Sequence, residues 1–171
     1  MKIKINPLDA ESITNAIKEV KEYKKWVQEK ESMLIERLAM IGADVVRVTF
    51  SRAIYAGAND IQVAVNISQH RAKIIANGQH ICFIEFGTGV LNSEIHPYAD
   101  KFGFQYGTYG YGQGKNKDGW IYLGEQGTAG EPVSNKNGVY RTRGNPPAEA
   151  FPKAIEEILK SITQVAKEVF R

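Results

Sequence analysis

Between residues 8 and 45, apolar side chains return at alternating intervals of four and three. Ile13, Ile17, Val20, Val27, Leu34, Leu38, Ile41 and Val45 all fall on this spacing, with Lys24 and Glu31 at the two seam positions between them. Such a period keeps one face of a helix apolar over many turns, so it predicts a helical segment over 8–45. Asp9 or Ser12 supplies a cap, and Glu11 suits the positive end of the helix dipole. The stretch Lys21-Glu22-Tyr23-Lys24-Lys25 is polar. The segment is therefore one long helix with a solvated waist, or two helices broken near Lys24. A continuous helix would reach roughly 55 Å at 1.5 Å per residue. That exceeds what one compact domain covers, so part of it is expected to pack on a neighbouring subunit.

Residues 46–143 read as strands and loops. Val46-Arg47-Val48-Thr49-Phe50 and Ile61-Gln62-Val63-Ala64-Val65-Asn66-Ile67 alternate, with Gly57-Ala58-Asn59-Asp60 as turn chemistry between them. Lys73-Ile74-Ile75-Ala76, Trp120-Ile121-Tyr122-Leu123 and Val139-Tyr140-Arg141-Thr142 are further strands. Ile81 to Phe86 is a strand or a short helix closed by Gly87. The connections are short and lack crossover helices, which predicts antiparallel pairing. Within this zone, residues 102–114 hold five glycines and five aromatics in 13 positions. A loop of that composition resists regular structure alone and gains order against a partner.

Residues 146–170 predict a C-terminal helix, with Asn145 as its cap and Pro146 and Pro147 in the first turn. Phe151, Ile155, Ile158, Ile162, Val165 and Val169 make its apolar stripe, expected to cover the sheet of the same subunit. The expected fold is α+β in one domain over 1–171: an antiparallel sheet flanked by a long N-terminal helical segment and an amphipathic C-terminal helix.

Sites of chemistry are sparse. The 22 basic and 19 acidic residues leave a net charge of +3, too balanced for a dedicated nucleic-acid binder. The single cysteine, Cys82, permits no internal disulfide and suits a reducing compartment. Flanked by Ile81 and Phe83, it reads as a small buried hydrophobe. No apolar run approaches the ~20 residues of a membrane span, and no apolar segment of a secretory signal follows Met1-Lys2-Ile3-Lys4. Gly110 to Lys115 fails as a phosphate loop, because Tyr109 and Asn116 stand where a glycine and a Ser or Thr belong. His70, His80, Cys82 and His96 lack the spacing of a helical metal site. Glu85 and Glu94 carry no independent catalytic signal. No cofactor or metal is expected. Tyr140-Arg141-Thr142-Arg143, with Lys115 and Lys117, is the one basic and aromatic grouping suited to phosphates or bases.

Three motifs occur in order over residues 76–171: Phe83-Ile84-Glu85-Phe86-Gly87-Thr88-Gly89, then His96-Pro97 with Trp120-Ile121-Tyr122, then Thr142-Arg143-Gly144-Asn145-Pro146-Pro147-Ala148 leading into the last helix. Together they resemble the neck, head–tail connector and tail-completion proteins of long-tailed bacteriophages. The resemblance implies a virion structural protein without catalysis, built in the host cytoplasm and resident in the neck or tail. It implies a six- or twelve-fold homo-oligomeric ring in contact with connector, tail-terminator or tail-tube proteins, with transient contact to passing DNA and no membrane. Under it, Gly87 and Gly89 turn the chain sharply while Glu85 and Thr88 cap or bridge. Glu85, Phe86, Thr88, Phe104, Tyr106, Tyr109, Tyr111, Arg141 and Arg143 are the candidate interaction residues. The competing reading is a nucleic-acid-binding accessory protein that uses Arg141, Arg143 and the lysine-flanked loop.

Overall fold

The computed structural model describes residues 2–89, 96–103, 119–133 and 137–171. Its first element, α1, is a single unbroken helix over Ala10–Ser51, 42 residues and about 63 Å long. Asp9 caps it by accepting the Glu11 N–H at 3.0 Å. The polar waist does not break the helix, because its lysines and glutamates are good helix formers that need no burial. The last residue of the waist, Lys25, pairs with Glu29 one turn on.

The strand expected at Val46 to Phe50 is instead the last turns of α1. Alternation would place residues 46, 48 and 50 together. In the structure Val46 and Phe50 are buried one helical turn apart while Val48 is 46% exposed. The tertiary core selects the period of 3.6 over the period of 2. Asn59 then closes the helix, its side-chain amide donating to the Phe50 carbonyl at 2.8 Å.

Among the described residues pairing is antiparallel throughout, as expected, but it is divided among three small sheets. Strands β1 (Gln62–Ser68) and β2 (Arg71–Asn77) form a hairpin with Val63 opposite Ala76 and Val65 opposite Ile74. That inward row lies on α1. A short helix α2 (Ile81–Phe86) follows, closed by Gly87. Strand β3 (Thr88–Gly89) pairs with β7 (Gly144–Asn145). Strands β4 (Trp120–Leu123) and β5 (Glu131–Pro132) both pair with β6 (Val139–Thr142).

The final helix, α3, spans Ala150–Val169 rather than 146–170. It packs antiparallel along α1 and not on a sheet. Phe151 meets Phe50 at its start, Ile158 fits against Gly42 midway, and Trp26 meets Phe170 edge-on at its end. A Cβ on Gly42 would lie 2.6 Å from Ile158 Cδ1 and 2.8 Å from Ile74 Cδ1, so this glycine sets the approach of both neighbours. The expected stripe is rotated accordingly. Ala154, Val165 and Val169 are buried, whereas Ile155, Leu159 and Ile162 are exposed. The core gathers at the C-terminal end of α1, around Val46, Phe50, Ile84, Ala150 and Ala154.

Candidate functional site

The Phe83 to Gly89 motif sits where α2, β3, β7 and the start of α3 converge. Because α2 is helical, Ile84 and Glu85 turn inward while Cys82 and Phe83 turn outward. Cys82 is thus exposed, not the buried hydrophobe its neighbours suggested.

Glu85 is 4% exposed, and burying a carboxylate is costly unless its lone pairs are filled. Its Oε2 accepts the Ala150 N–H at 2.8 Å and its Oε1 accepts the Phe151 N–H at 3.1 Å. These are unpaired donors of the first turn of α3, where the helix dipole also favours a negative charge. The third ligand is His96, whose Nε2 lies 3.2 Å from Oε1. On its other side, His96 Nδ1 accepts the Tyr98 N–H at 3.1 Å. That bond leaves the imidazole proton on Nε2, donated to Glu85. Phe86 packs edge-on against the His96 ring at 4.4 Å and holds it in place.

Gly87 adopts φ 75°, ψ 167°, a conformation essentially reserved for glycine, and it turns the chain from α2 into β3. Thr88 then donates its hydroxyl to Asn145 Oδ1 at 2.5 Å, and Asn145 Nδ2 donates to the Phe83 carbonyl at 3.1 Å. Asn145 is therefore a buried bridge within β7 and not the cap of α3. The cap position belongs to Glu149, held left-handed at φ 56° with no capping side-chain bond of its own. A carboxylate from 65 residues earlier in the chain does the capping instead. The Ala148 N–H, bonded to the Ile84 carbonyl at 2.9 Å, fixes the approach of the Pro146-Pro147 connector.

The structure thus brings Glu85, Phe86 and Thr88 together with His96 and Asn145, and the polar atoms of Glu85 and Thr88 are engaged inside the chain. Arg141 and Arg143 are apart from this knot. Arg141 is exposed on β6, directly across from Ile121 on β4 and Glu131 on β5. Arg143 is exposed between β6 and β7. Phe104, Tyr106, Tyr109 and Tyr111 lie outside the described residues, as do most of 102–114. The sequence reading had His96 as a metal candidate and Asn145 as a cap, and both as members of the phage-like motifs, but gave neither a partner. Their real partners lie 11 and 57 residues away, and no local pattern signals them.

The polar groups of this arrangement are spent on hydrogen bonds within the chain. Both ring nitrogens of His96 are committed, so the imidazole has no lone pair with which to activate the Cys82 thiol. Among the described residues no group of three or more His, Cys, Asp and Glu side chains could hold a metal ion. Nor is any described helix long and apolar enough to cross a membrane. Comparisons of the chain with protein-family models, with curated proteins and with solved structures find no match.

Proposed function

We propose that this chain is a structural virion subunit of a long-tailed phage, one that joins head to tail or completes the tail by assembling into a ring. The observation that carries the reading is the N-terminal part of α1. Residues 10–25 extend about 24 Å beyond the pairing with α3. Apart from Ser12 and Ala16 every residue there is exposed, including the apolar row Ile13, Ile17 and Val20. A helix that keeps an apolar stripe in water, past the end of its own core, suits a subunit completed by copies of itself and by its neighbours.

Two further features support it. The motif carrying the phage resemblance uses its polar groups to tie α2, β7 and α3 together, in keeping with a protein that works by shape. The small sheets are built from strands of two to seven residues, and further strands could add to their edges between subunits. The nucleic-acid reading has less support, since Arg141 faces Glu131 across the strand pair.

The test is a triple variant, Ile13→Ser, Ile17→Ser and Val20→Ser, placed in a phage or prophage that encodes the chain. Its isolated subunit should keep native circular dichroism and its melting temperature, because the row contributes nothing to the core. Electron micrographs should then show heads and tails that fail to join, or tails of uncontrolled ends. Complete, infectious particles assembled with the variant would sink the reading. Salt-sensitive binding of short DNA by the monomer would favour the nucleic-acid class instead.

A further inference from the structure

A second built region lies on the other side of α2. Tyr55, His80, Phe83, Trp120 and Tyr122 line a cleft of about 510 Å³ open to solvent. Trp120 and Tyr122 are two apart on β4 and so share one face, with Thr142 and Tyr140 of β6 directly beside them. Tyr55 and His80 lie with ring centroids 5.8 Å apart, and His80 and Phe83 6.3 Å apart. Burial, with Tyr122 and Asp60 nearby, pushes the Tyr55 phenol above its ordinary range and keeps it neutral. Burial does the same for Tyr122, beside Tyr140.

The walls are braced. The Tyr55 N–H donates to Thr128 Oγ1 at 2.8 Å, and the Thr128 N–H returns to the Tyr55 carbonyl at 2.8 Å. Gly127 packs so closely on Tyr55 and Gly57 that a Cβ there would collide with backbone. Gly130 is pressed as tightly against the Tyr122 hydroxyl and the Gln126 carbonyl. That hydroxyl in turn donates to the Gln126 carbonyl at 2.7 Å. Glycine at these positions lets the 124–130 loop seat directly on the aromatic residues, so the cleft is formed before anything enters it.

The charge of the lining is one-sided. Glu125 is an exposed member of the lining, and among the described residues no lysine or arginine joins it there. Aromatic faces carry negative potential and attract cations, and a carboxylate in the lining adds to that attraction. The same field repels phosphate, which argues against a nucleotide or a nucleic-acid strand in this place.

We propose that this cleft receives an arginine side chain presented by a protein partner, with its guanidinium stacked on the aromatic lining and paired with Glu125. A planar guanidinium suits this slot better than an ammonium, because it stacks on a ring and meets a carboxylate in its own plane. The site stands independently of the ring reading, and either can fail without the other.

The test is a titration of the intact chain, followed by two-dimensional NMR, with the peptide acetyl-Gly-Arg-Gly-amide. The control is the same peptide with citrulline, which keeps the shape and removes the charge. Saturable shifts of the Trp120 indole N–H and of the Glu125 and Gly57 amides are expected, with the citrulline peptide at least about threefold weaker. Glu125→Gln, an exposed change that leaves the fold intact, should weaken the arginine peptide towards the citrulline value. Trp120→Leu should abolish the shifts of Glu125 and Gly57. Equal binding of both peptides overturns the proposal in favour of a plain apolar slot. A short oligothymidylate that moves the same resonances overturns it in favour of a base-stacking site. No saturable shift even at millimolar peptide overturns it outright.

Discussion

Ile13, Ile17 and Val20 keep the same four-and-three rhythm in α1 as Leu34, Leu38, Ile41 and Val45 further along. The first three are 39%, 50% and 52% exposed, whereas the later four are half-buried beside fully buried Ala43 and Val46. The spacing is equal and the cover is not. Around the second half stand α3, the β1–β2 hairpin and α2. The hairpin's turn reaches back only as far as Glu31 and Ser32, where His70 Nδ1 lies 3.4 Å from the Glu31 carboxylate and the Ser32 hydroxyl donates to the Gln69 carbonyl. Helix α3 ends with Phe170 on Trp26. Periodicity thus tells which face of a helix is apolar. Whether that face is buried depends on where the other elements stop.

The sharpest way to break this contrast is to place the same charge in each half. Val46→Asp should bury a carboxylate among apolar side chains without a partner and cost several kcal/mol, enough to unfold a domain of ordinary stability. Ile17→Asp should change stability by no more than about 0.5 kcal/mol, as a surface substitution does. Thermal melts of the two variants check this, and a large loss at Ile17 would show that the arm is folded against its own chain.

Next in size is Glu85, which anchors the start of α3 to the covered half. Glu85→Gln keeps one acceptor but puts an amide NH₂ against the N–H donors of α3. A loss of about 2–3 kcal/mol is expected in urea titrations, within the range for buried hydrogen bonds to a charged group. Hydrogen exchange should rise at Ala150 and Phe151 and stay unchanged over 10–25.

A smaller effect of opposite sign is expected at Glu149. Its φ of 56° strains any residue with a Cβ, while its ion pair with Lys153 is long at 3.8 Å and partly solvated. Glu149→Gly should therefore stabilise the chain by about 0.5–1 kcal/mol, read as a raised melting temperature.

The smallest effect concerns the surface tie between α1 and the last turn of α3. A hydrogen bond from Arg37, aided by one from Gln164, holds the Glu168 carboxyl below its usual value of 4.5. A carboxyl whose folded pKa is lowered adds stability at neutral pH, and that stability is lost as pH falls through the lowered value. Glu168→Gln should thus be slightly less stable than the native chain near neutrality, and the two should converge once the pH falls below the lowered value. A difference that persists in acid would mean that Glu168 contributes by packing and not by charge.

Much of the fold could be read locally. The Asp9 cap, the β1 and β2 strands with their short turn, the stop at Gly87 and the amphipathic character of α3 each depend on residues within a few positions of one another. Local reading failed where two periods compete or where a partner is remote. Val46-Arg47-Val48-Thr49-Phe50 satisfies the strand period as well as the helical one, and only the neighbours of Val46 and Phe50 decide between them. Asn145 has every local mark of a cap, yet Thr88 and Phe83 claim its side chain. In the candidate site, Glu85 and Thr88 were visible as a motif, and capping or bridging was the expected role. That the carboxylate caps a helix 65 residues later was not visible. The aromatic cleft was missed altogether, because its rings come from positions 55, 80, 83, 120 and 122 with no shared period.

By itself, the sequence determined which residues favour helix or strand, where glycine permits a turn, and which faces are apolar, since these follow from side-chain shape and spacing along a few turns of chain. The tertiary structure alone decided that the described strands divide among separate small sheets, that α3 lies on α1, and that one half of α1 is covered while the other projects. Those outcomes rest on close approaches such as Ile158 on Gly42 and Ala150 on Glu85. Each joins residues far apart in the chain through contacts that no local period encodes.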